Sequence, residues 1–204
     1  MRVIGGKVKG HRFKVPKGRA VRPTAARVKE ALFNILPHDL SGLKILDLFA
    51  GSGNLSVEAL SRGAAEAVLV DRSPKLARTI RENLRTLGFA DRTQVWTASA
   101  LQAIRRLAHR RYTFDLVFVD PPYEKGWTGK IVAALGREGL LRQSGMVIAE
   151  HSIREEVQES YGSLVLQDRR RYGSTVLSFF RLDDSAAREE KNGIHERRDL
   201  SRVV

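Results

Sequence analysis

Cysteine is absent from the 204 residues of this chain. Its absence excludes disulfide bonds and every metal site that needs a thiolate ligand, and it is typical of proteins in a reducing compartment. No group of other candidate ligands has metal-binding spacing either, so we predict no metal. The chemistry must therefore rely on other side chains or on an organic cofactor.

Long apolar runs are also missing. The longest run, at 131–135, has five residues, whereas a membrane-spanning helix needs about 20. Residues 1–10 are basic and no apolar stretch follows them, so we expect no secretory signal. The expectation is a soluble, cytoplasmic protein.

Acidic residues are few relative to basic ones, with 23 Asp and Glu against 36 Lys and Arg, a net charge of +13. This balance favours polyanionic partners such as nucleic acid, although many cytoplasmic proteins are basic and charge alone leaves the partner open. Residues 1–40 contain ten Lys and Arg against two acidic residues, a net charge of +8. That concentration predicts a docking surface for phosphates. The nucleic-acid-binding candidates are Lys7, Lys9, Arg12, Lys14 and Arg22.

Short apolar runs alternate with longer amphipathic stretches between residues 44 and 182. This pattern predicts an α/β fold with a mostly parallel, Rossmann-like sheet of seven strands covered by helices. A short basic turn at 171–173 joins the last two strands, so they should form an antiparallel terminal hairpin. The predicted strands are 44–49, 67–71, 94–98, 116–120, 146–150, 164–167 and 175–181.

Two helices and three segments complete the predicted organisation. One helix should run over 74–87, since Ser73 can cap it, Pro74 suits its first position and Gly88 follows its end. An apolar stripe predicts another helix over 24–36. We expect a basic β-hairpin extension at 1–20, a catalytic domain at 21–182 and a charged, mobile tail at 183–204.

A glycine turn follows the first predicted strand, in the segment KILDLFAGSGNLS at 44–56. Gly51 and Gly53 allow the backbone to approach a ligand at the carboxyl edge of the sheet. Asp71 ends the next strand, 20 positions after Gly51. A carboxylate there can accept hydrogen bonds from ribose hydroxyls, so the pair indicates a nucleoside-containing cofactor.

The type of cofactor depends on two further residues. Ser56 occupies the position of the third glycine in nicotinamide-binding turns, and Asp47 lies in the strand just before the turn. A carboxylate at that place suits a cationic ligand such as S-adenosylmethionine better than a pyrophosphate. Asp47 fits equally well as a carboxylate that only holds the loop together.

The sequence Asp120-Pro121-Pro122-Tyr123 ends the fourth predicted strand. The Asp120 carboxylate and the Pro121 carbonyl can accept both hydrogens of an amino group, while the prolines restrict the backbone and Tyr123 can stack on an extruded base. The opposing interpretation is a rigid turn with Tyr123 in the core. Following a glycine turn and a ribose-type acid in the same strand order, the motif favours methylation of an amino nitrogen.

The DPPY and DLFAGSG motifs resemble those of Rossmann-like amino-group methyltransferases. The preceding segment RPTAARVKEALFN at 22–34 resembles, more narrowly, the bacterial RsmD-type family, which methylates N2 of a guanine in 16S ribosomal RNA. Three separated motifs agree in order over about residues 1–182. The resemblance implies small-subunit ribosomal RNA as partner and S-adenosylmethionine as cofactor. It implies cofactor contacts from Asp47, Phe49, Ala50, Gly51, Gly53, Asp71, Ser99 and Ala100, and catalytic roles for Asp120, Pro121, Pro122 and Tyr123.

One departure from the related enzymes concerns the adenine site, which often carries an acidic residue where this chain has Thr97-Ala-Ser-Ala100. Three alternatives remain open: an adenine-N6 methyltransferase, a nicotinamide-dependent oxidoreductase and a non-catalytic RNA-binding factor. Methylation of carbon 5 of a pyrimidine is excluded, since it normally needs a cysteine nucleophile. We expect a monomer.

Six other residues have two interpretations each. Trp96 and Trp127 can stack on bases, but a tryptophan in a strand usually belongs to the core, which we favour for Trp96. His151 is expected to be a hydrogen-bonded structural residue rather than part of the active site. The arginines at 169–171 suit phosphate binding and an exposed hairpin equally.

Overall fold

The computed structural model describes residues 1–15, 23–122 and 126–183, with the side chains of 23–25 left undescribed. Five α-helices, a short 3-10 helix at Ala90–Arg92 and eight strands lie in these ranges. The helices are α1 Pro23–Ile35, α2 Asn54–Ser61, α3 Pro74–Thr86, α4 Ala100–His109 and α5 Trp127–Glu138. The strands are β1 Lys44–Asp47, β2 Glu66–Asp71, β3 Thr93–Thr97, β4 Phe114–Val119, β5 Leu141–Ser152, β6 Ser160–Tyr161, β7 Leu164–Tyr172 and β8 Thr175–Leu182.

All eight strands form one sheet in the order β3-β2-β1-β4-β5-β8-β7-β6. The first five of these pair in parallel, and β8, β7 and β6 continue the sheet in antiparallel register. The predicted Rossmann-like sheet and its terminal hairpin are therefore confirmed. The strand count of seven was low by one, because β6 has only two residues and is too short to show an alternating pattern.

Both faces of the parallel strands β1, β2 and β4 are buried. Ile45 of β1 belongs to a core cluster with Phe33 of α1, whereas the adjacent Leu46 belongs to a second cluster with Leu107 of α4. Successive side chains of a strand point to opposite faces, so helices must cover the sheet on both sides. This explains why the sequence of these strands is continuously apolar.

Helix α3 follows the predicted signals closely. The Ser73 side chain accepts a hydrogen bond from the Leu76 amide, at 3.4 Å, and Pro74 occupies the first turn. Gly88 adopts φ +73 just after the helix, where a left-handed residue ends it. The predicted helix over 24–36 is observed one residue earlier at each end, as Pro23–Ile35.

The N-terminal segment is simpler than the predicted hairpin. Residues 1–15 form a loop closed by a single antiparallel bridge between Arg2 and Arg12. Val3 and Phe13 are buried in the same core cluster as Ile45 of β1, and their amides donate to the carbonyls of His11 and Met1, which joins the two arms of the loop. The predicted boundary at residue 20 and the tail beyond 183 lie outside the described residues.

A buried carboxylate attaches this N-terminal segment to the helices. The Glu58 side chain of α2 is fully buried and accepts hydrogen bonds from the amides of Ile4 and Gly5, at 3.0 and 2.8 Å. Two cations complete its surroundings, Lys29 Nζ at 3.0 Å and Arg62 Nε at 3.3 Å. Burial lowers the pKa of Lys29, and the nearby carboxylate opposes that effect. Glu58 thus joins the N-terminal loop, α1 and α2 at one point.

Within the described ranges, none of the helices combines the length and apolar character required to cross a bilayer.

Replacing Glu58 with glutamine should strongly destabilise the fold, because Lys29 and Arg62 would remain buried without their counter-charge. The expected loss is about 3 kcal/mol in the free energy of unfolding, measured by urea denaturation. The control is Glu66→Gln, which breaks an exposed ion pair with Lys44 and should cost less than about 1 kcal/mol. Equal losses in the two variants would contradict this account of Glu58.

Candidate active site

A cavity of about 510 Å³ opens at the carboxyl edge of the parallel strands. This is the edge where sheets of this type bind ligands, and the volume suits a small organic molecule. Apolar side chains and carboxylates share its wall. The lining residues are Leu48, Phe49, Asp71, Arg72, Ala98, Ser99, Ala100, Leu101, Asp120, Pro121, Pro122, Trp127 and Glu150.

The glycine turn after β1 forms a tight loop beside this cavity. Gly51 and Gly53 adopt φ +58 and +82, a left-handed conformation that glycine adopts without strain. The Gly53 amide donates to the Ala50 carbonyl at 2.7 Å, and the Ala50 amide donates to the Val70 carbonyl at 2.9 Å. The predicted residues Ala50, Gly51 and Gly53 therefore shape the turn, while Phe49 lies in the cavity wall itself.

Asp71 is fixed at the end of β2 by two backbone amides. One carboxylate oxygen accepts from the Gly51 amide at 3.0 Å, and the other accepts from the Ser73 amide at 2.8 Å. Each oxygen keeps further acceptor capacity, and the residue lines the cavity. Asp71 thus connects the glycine turn to the start of α3 and presents a rigidly held acceptor to a ligand.

Asp47 lies beneath the turn and is not among the cavity-lining residues. Its carboxylate accepts a hydrogen bond from Ser56 Oγ at 2.8 Å and is almost completely buried. Burial raises the pKa of Asp47 to about 6, although hydrogen bonds from Ser56 and the Phe49 amide oppose the shift. These contacts fit the second interpretation of Asp47 given by the sequence, a carboxylate that holds the loop together. The observed contacts of Asp47 are therefore with the turn itself.

Ser99 and Ala100 enter the cavity from the start of α4. Ser99 forms a capping box with Gln102, in which its side chain accepts from the Gln102 amide at 3.4 Å. Both residues line the cavity. The absence of an acidic residue here leaves backbone groups and the adjoining apolar side chains to contact a ligand.

The residues after β4 form the opposite side of the site. Asp120, Pro121 and Pro122 line the cavity together with Asp71 and Phe49. Tyr123, the last residue of the motif, lies outside the described residues. The structure thus brings the acceptor motif and the glycine-turn side of the site to one opening.

Several lining residues were not predicted for the site, above all Glu150, and Trp127, which the sequence analysis considered for base stacking, lines the cavity as well. Glu150 follows Ala149, which pairs with Val119 just before Asp120. The rule that ligands bind at the carboxyl ends of strands would have identified it, as it identified Asp71 and Asp120. Trp127 begins α5 directly after Gly126, and no periodic signal marked that position. The remaining missed residues are Leu48, Arg72, Ala98 and Leu101.

The other residues with two sequence interpretations contact neighbouring residues of the fold. His151 is buried, its ring nitrogens lie 2.9 Å from Ser178 Oγ and 3.0 Å from the Ser152 carbonyl, and burial lowers its pKa. Trp96 is partly buried beneath Arg106 of α4 and Arg110 just after that helix, whose guanidinium carbons lie 5.2 and 5.5 Å from its ring centre. Arg170 pairs with Asp168 at 2.7 Å.

The basic candidates of the N-terminal loop lie on the surface. Lys7, Lys9, Arg12 and Lys14 are exposed, and Lys14 pairs with Glu82 at 3.3 Å. Arg22 lies outside the described residues. No group of three or more His, Asp or Glu side chains suited to a metal occurs in 1–15, 23–122 and 126–183.

The fold and the position of the cavity are those of Rossmann-like methyltransferases. The chain is similar to an Escherichia coli structure named "Putative methyltransferase yhhF". That structure has a TM-score of 0.77 and 31% identity, covering 90% of this chain and 98% of its own. The model for "Conserved hypothetical protein 95" matches residues 1–181. The chain belongs to this family, the RsmD-type methyltransferases.

Two relatives by sequence agree with this assignment. A Bacillus subtilis protein named "Putative rRNA methyltransferase YlbH" is 37% identical over 181 residues, 89% of this chain and 98% of that protein. The Escherichia coli "Ribosomal RNA small subunit methyltransferase D" is 35% identical over 153 residues, 75% of each chain. The predicted family is therefore confirmed.

The raised pKa of Asp47 predicts how stability varies with pH. The folded protein keeps this proton up to about pH 6, whereas the unfolded chain releases it near pH 4. The free energy of unfolding should therefore fall between these values by about 3 kcal/mol from this group alone. In Asp47→Asn the contribution disappears.

The measurement is the free energy of unfolding of the cofactor-free protein and of Asp47→Asn between pH 4 and pH 7. The difference between the two proteins should change across that window, and the exposed control Asp91→Asn should leave the profile of the natural protein unchanged. Parallel profiles for the natural protein and Asp47→Asn would show that Asp47 does not carry this proton.

Proposed function

We propose that this protein transfers a methyl group from S-adenosylmethionine to the exocyclic N2 of a guanine in 16S ribosomal RNA. One observation carries the proposal: Asp120 and Pro121 line the same cavity as Asp71 and Phe49, beside the glycine turn. An amino-group acceptor and a nucleoside-type cofactor site therefore share one opening. The ribosomal substrate is supported by the names of the two sequence relatives.

The residues present suit the proposed cofactor. Asp71 offers carboxylate oxygens to ribose hydroxyls, while Ala98 and Leu101 provide apolar contacts for an adenine ring beside the start of α4. Bound S-adenosylmethionine supplies an electrophilic methyl group on a sulfonium. Asp47 supports the turn from below, and the predicted contacts of Ala50, Gly51 and Gly53 come from the backbone of that turn.

The protein contributes orientation and a place for the departing proton. The Asp120 carboxylate and the Pro121 carbonyl accept hydrogen bonds from the two N–H groups of the target amine, which directs the nitrogen toward the donor. When the new N–C bond forms, the amine must lose one proton. The Asp120 carboxylate already accepts a hydrogen bond from that amine, so it can take the proton directly. Pro122 restricts the motif, and Tyr123 stacks on the extruded base.

The N-terminal loop supplies the RNA contacts in this proposal. Lys7, Lys9 and Arg12 are exposed on a loop whose backbone is anchored to Glu58, and Lys14 and Arg22 extend the same basic segment. Exposed cations on an ordered loop bind phosphates without reading sequence. The protein would act as a monomer in the cytoplasm, on free 16S RNA or on an assembling small subunit, without a metal.

The role of Asp120 is tested by Asp120→Ala. Methyl transfer from labelled cofactor to 16S RNA or 30S particles should fall by at least about 100-fold, because the variant loses the charged acceptor for the amine. Cofactor affinity, measured by calorimetry, should change little. Asp168→Ala, which removes a half-buried carboxylate of β7 that pairs with Arg170, is the control and should retain full activity.

Nucleoside analysis of the labelled RNA decides between the candidate products. N2-methylguanine is expected, whereas N6-methyladenine would select the adenine alternative. Normal turnover by Asp120→Ala would refute the assigned role, and absence of any transfer by the natural protein would refute the proposed function.

The basic loop is tested by the triple variant Lys7→Ala, Lys9→Ala, Arg12→Ala. Its affinity for 16S RNA should fall, and the slope of log affinity against log salt should become shallower by up to about 2, because fewer phosphates are contacted. The control removes the same charge at scattered helix positions, Arg85→Ala, Arg105→Ala and Arg137→Ala. Equal effects of both triple variants would show that only net charge matters.

A further inference from the structure

Glu150 lies in the cavity wall beside the amino-group acceptor. Val119, the last residue of β4, pairs with Ala149 of β5 in parallel register, so Asp120 directly after β4 and Glu150 of β5 are the residues that follow this pair. Residues at matching positions of adjacent strands are about 5 Å apart and point to the same side. Both residues line the cavity, so two carboxylates meet the same ligand.

The residues after Glu150 do not line the cavity. His151 is buried against Ser178 and the carbonyl of Ser152, and Ser152 is buried as well. Glu155 accepts the amide of Thr128 at 3.1 Å and so ties the following loop to α5. Of these residues, Glu150 alone belongs to the cavity wall.

Two neighbouring carboxylates favour a ligand rich in hydrogen-bond donors. Ionised carboxylates only accept hydrogen bonds, and their mutual repulsion falls when N–H groups lie between them. The Watson–Crick edge of guanine carries an N1–H next to the N2 amino group. Adenine instead places a lone pair at N1 beside its N6 amino group, and that lone pair would face a carboxylate.

We propose that Glu150 accepts the N1–H of the target guanine and thereby selects guanine over adenine. This inference rests on the proposed function, since it presumes that Asp120 holds the amino group. With Asp120 and Pro121 on N2 and Glu150 on N1, every N–H donor of that edge has an acceptor. An adenine held by its amino group in the same way loses one hydrogen bond and gains a repulsive contact.

The test compares two target bases that both carry an amino group at C2. The modified guanine is first mapped in 16S RNA treated with the natural protein. Splinted ligation then places either guanine or 2,6-diaminopurine, which has a lone pair at N1, at that position in reconstituted 30S particles. The natural protein should methylate the guanine particle at least about 100-fold faster, because a site built to bind an N–H rejects the analogue that lacks it.

Glu150→Gln should change this preference specifically. The amide can accept from guanine N1–H or donate to the N1 lone pair of 2,6-diaminopurine, so the ratio of the two rates should fall at least about tenfold. The control Glu156→Gln removes the same charge from an exposed position of the adjoining loop and should preserve the ratio. A merely structural Glu150 would lower both rates together and leave the ratio unchanged.

Each outcome decides the inference. If the natural protein methylates guanine less than about tenfold faster than 2,6-diaminopurine, the role of Glu150 is refuted without any variant. An unchanged ratio of the two rates in Glu150→Gln refutes it as well. If Glu150→Gln fails to bind cofactor in calorimetry, the same ratio is measured for Glu150→Asp, where the withdrawn carboxylate should also lower it. Absence of methyl transfer to natural 30S particles would instead refute the proposed function.

Discussion

Parallel pairing of β1 with both β2 and β4 is the constraint on which the site depends. It brings the end of each strand to the same edge of the sheet, so residues distant in sequence face one opening. Asp71 is the last residue of β2, Asp120 comes directly after β4, and Glu150 lies in β5. Each carboxylate by itself is an ordinary side chain. Strand pairing brings the three to one cavity, where they can bind the same ligand.

The fold and the centre of the site were largely predictable because their signals are local. Strand periodicity, the capping of α3 by Ser73 and the glycine turn each depend on a few neighbouring residues. Asp71 and Asp120 could be identified because each ends an apolar strand. The short strand β6 and the single bridge of the N-terminal loop could not, since packing against distant elements stabilises them.

The surroundings of some site side chains depend on their depth in the fold and on neighbours across the sheet, which the sequence does not show. The sequence places Asp47 immediately before the turn but does not show that Ser56 bonds it beneath the loop. Glu150 ends the predicted strand 146–150 as Asp71 and Asp120 end theirs, whereas the adjacent His151 is hydrogen-bonded within the fold. Spatial proximity to Asp120 gives Glu150 its importance, and only the β4–β5 register reveals that proximity.

The anchoring of residues 4 and 5 to Glu58 has a consequence for substrate choice. Glu58 belongs to α2, which begins directly after the glycine turn, so buried hydrogen bonds connect the basic loop to the helix beside the cavity. Under the proposed function, a phosphate held by the loop lies at a set distance from the reacting base. Among the many guanines of an RNA, the protein then selects the one that lies at this distance from the phosphate bound by the loop.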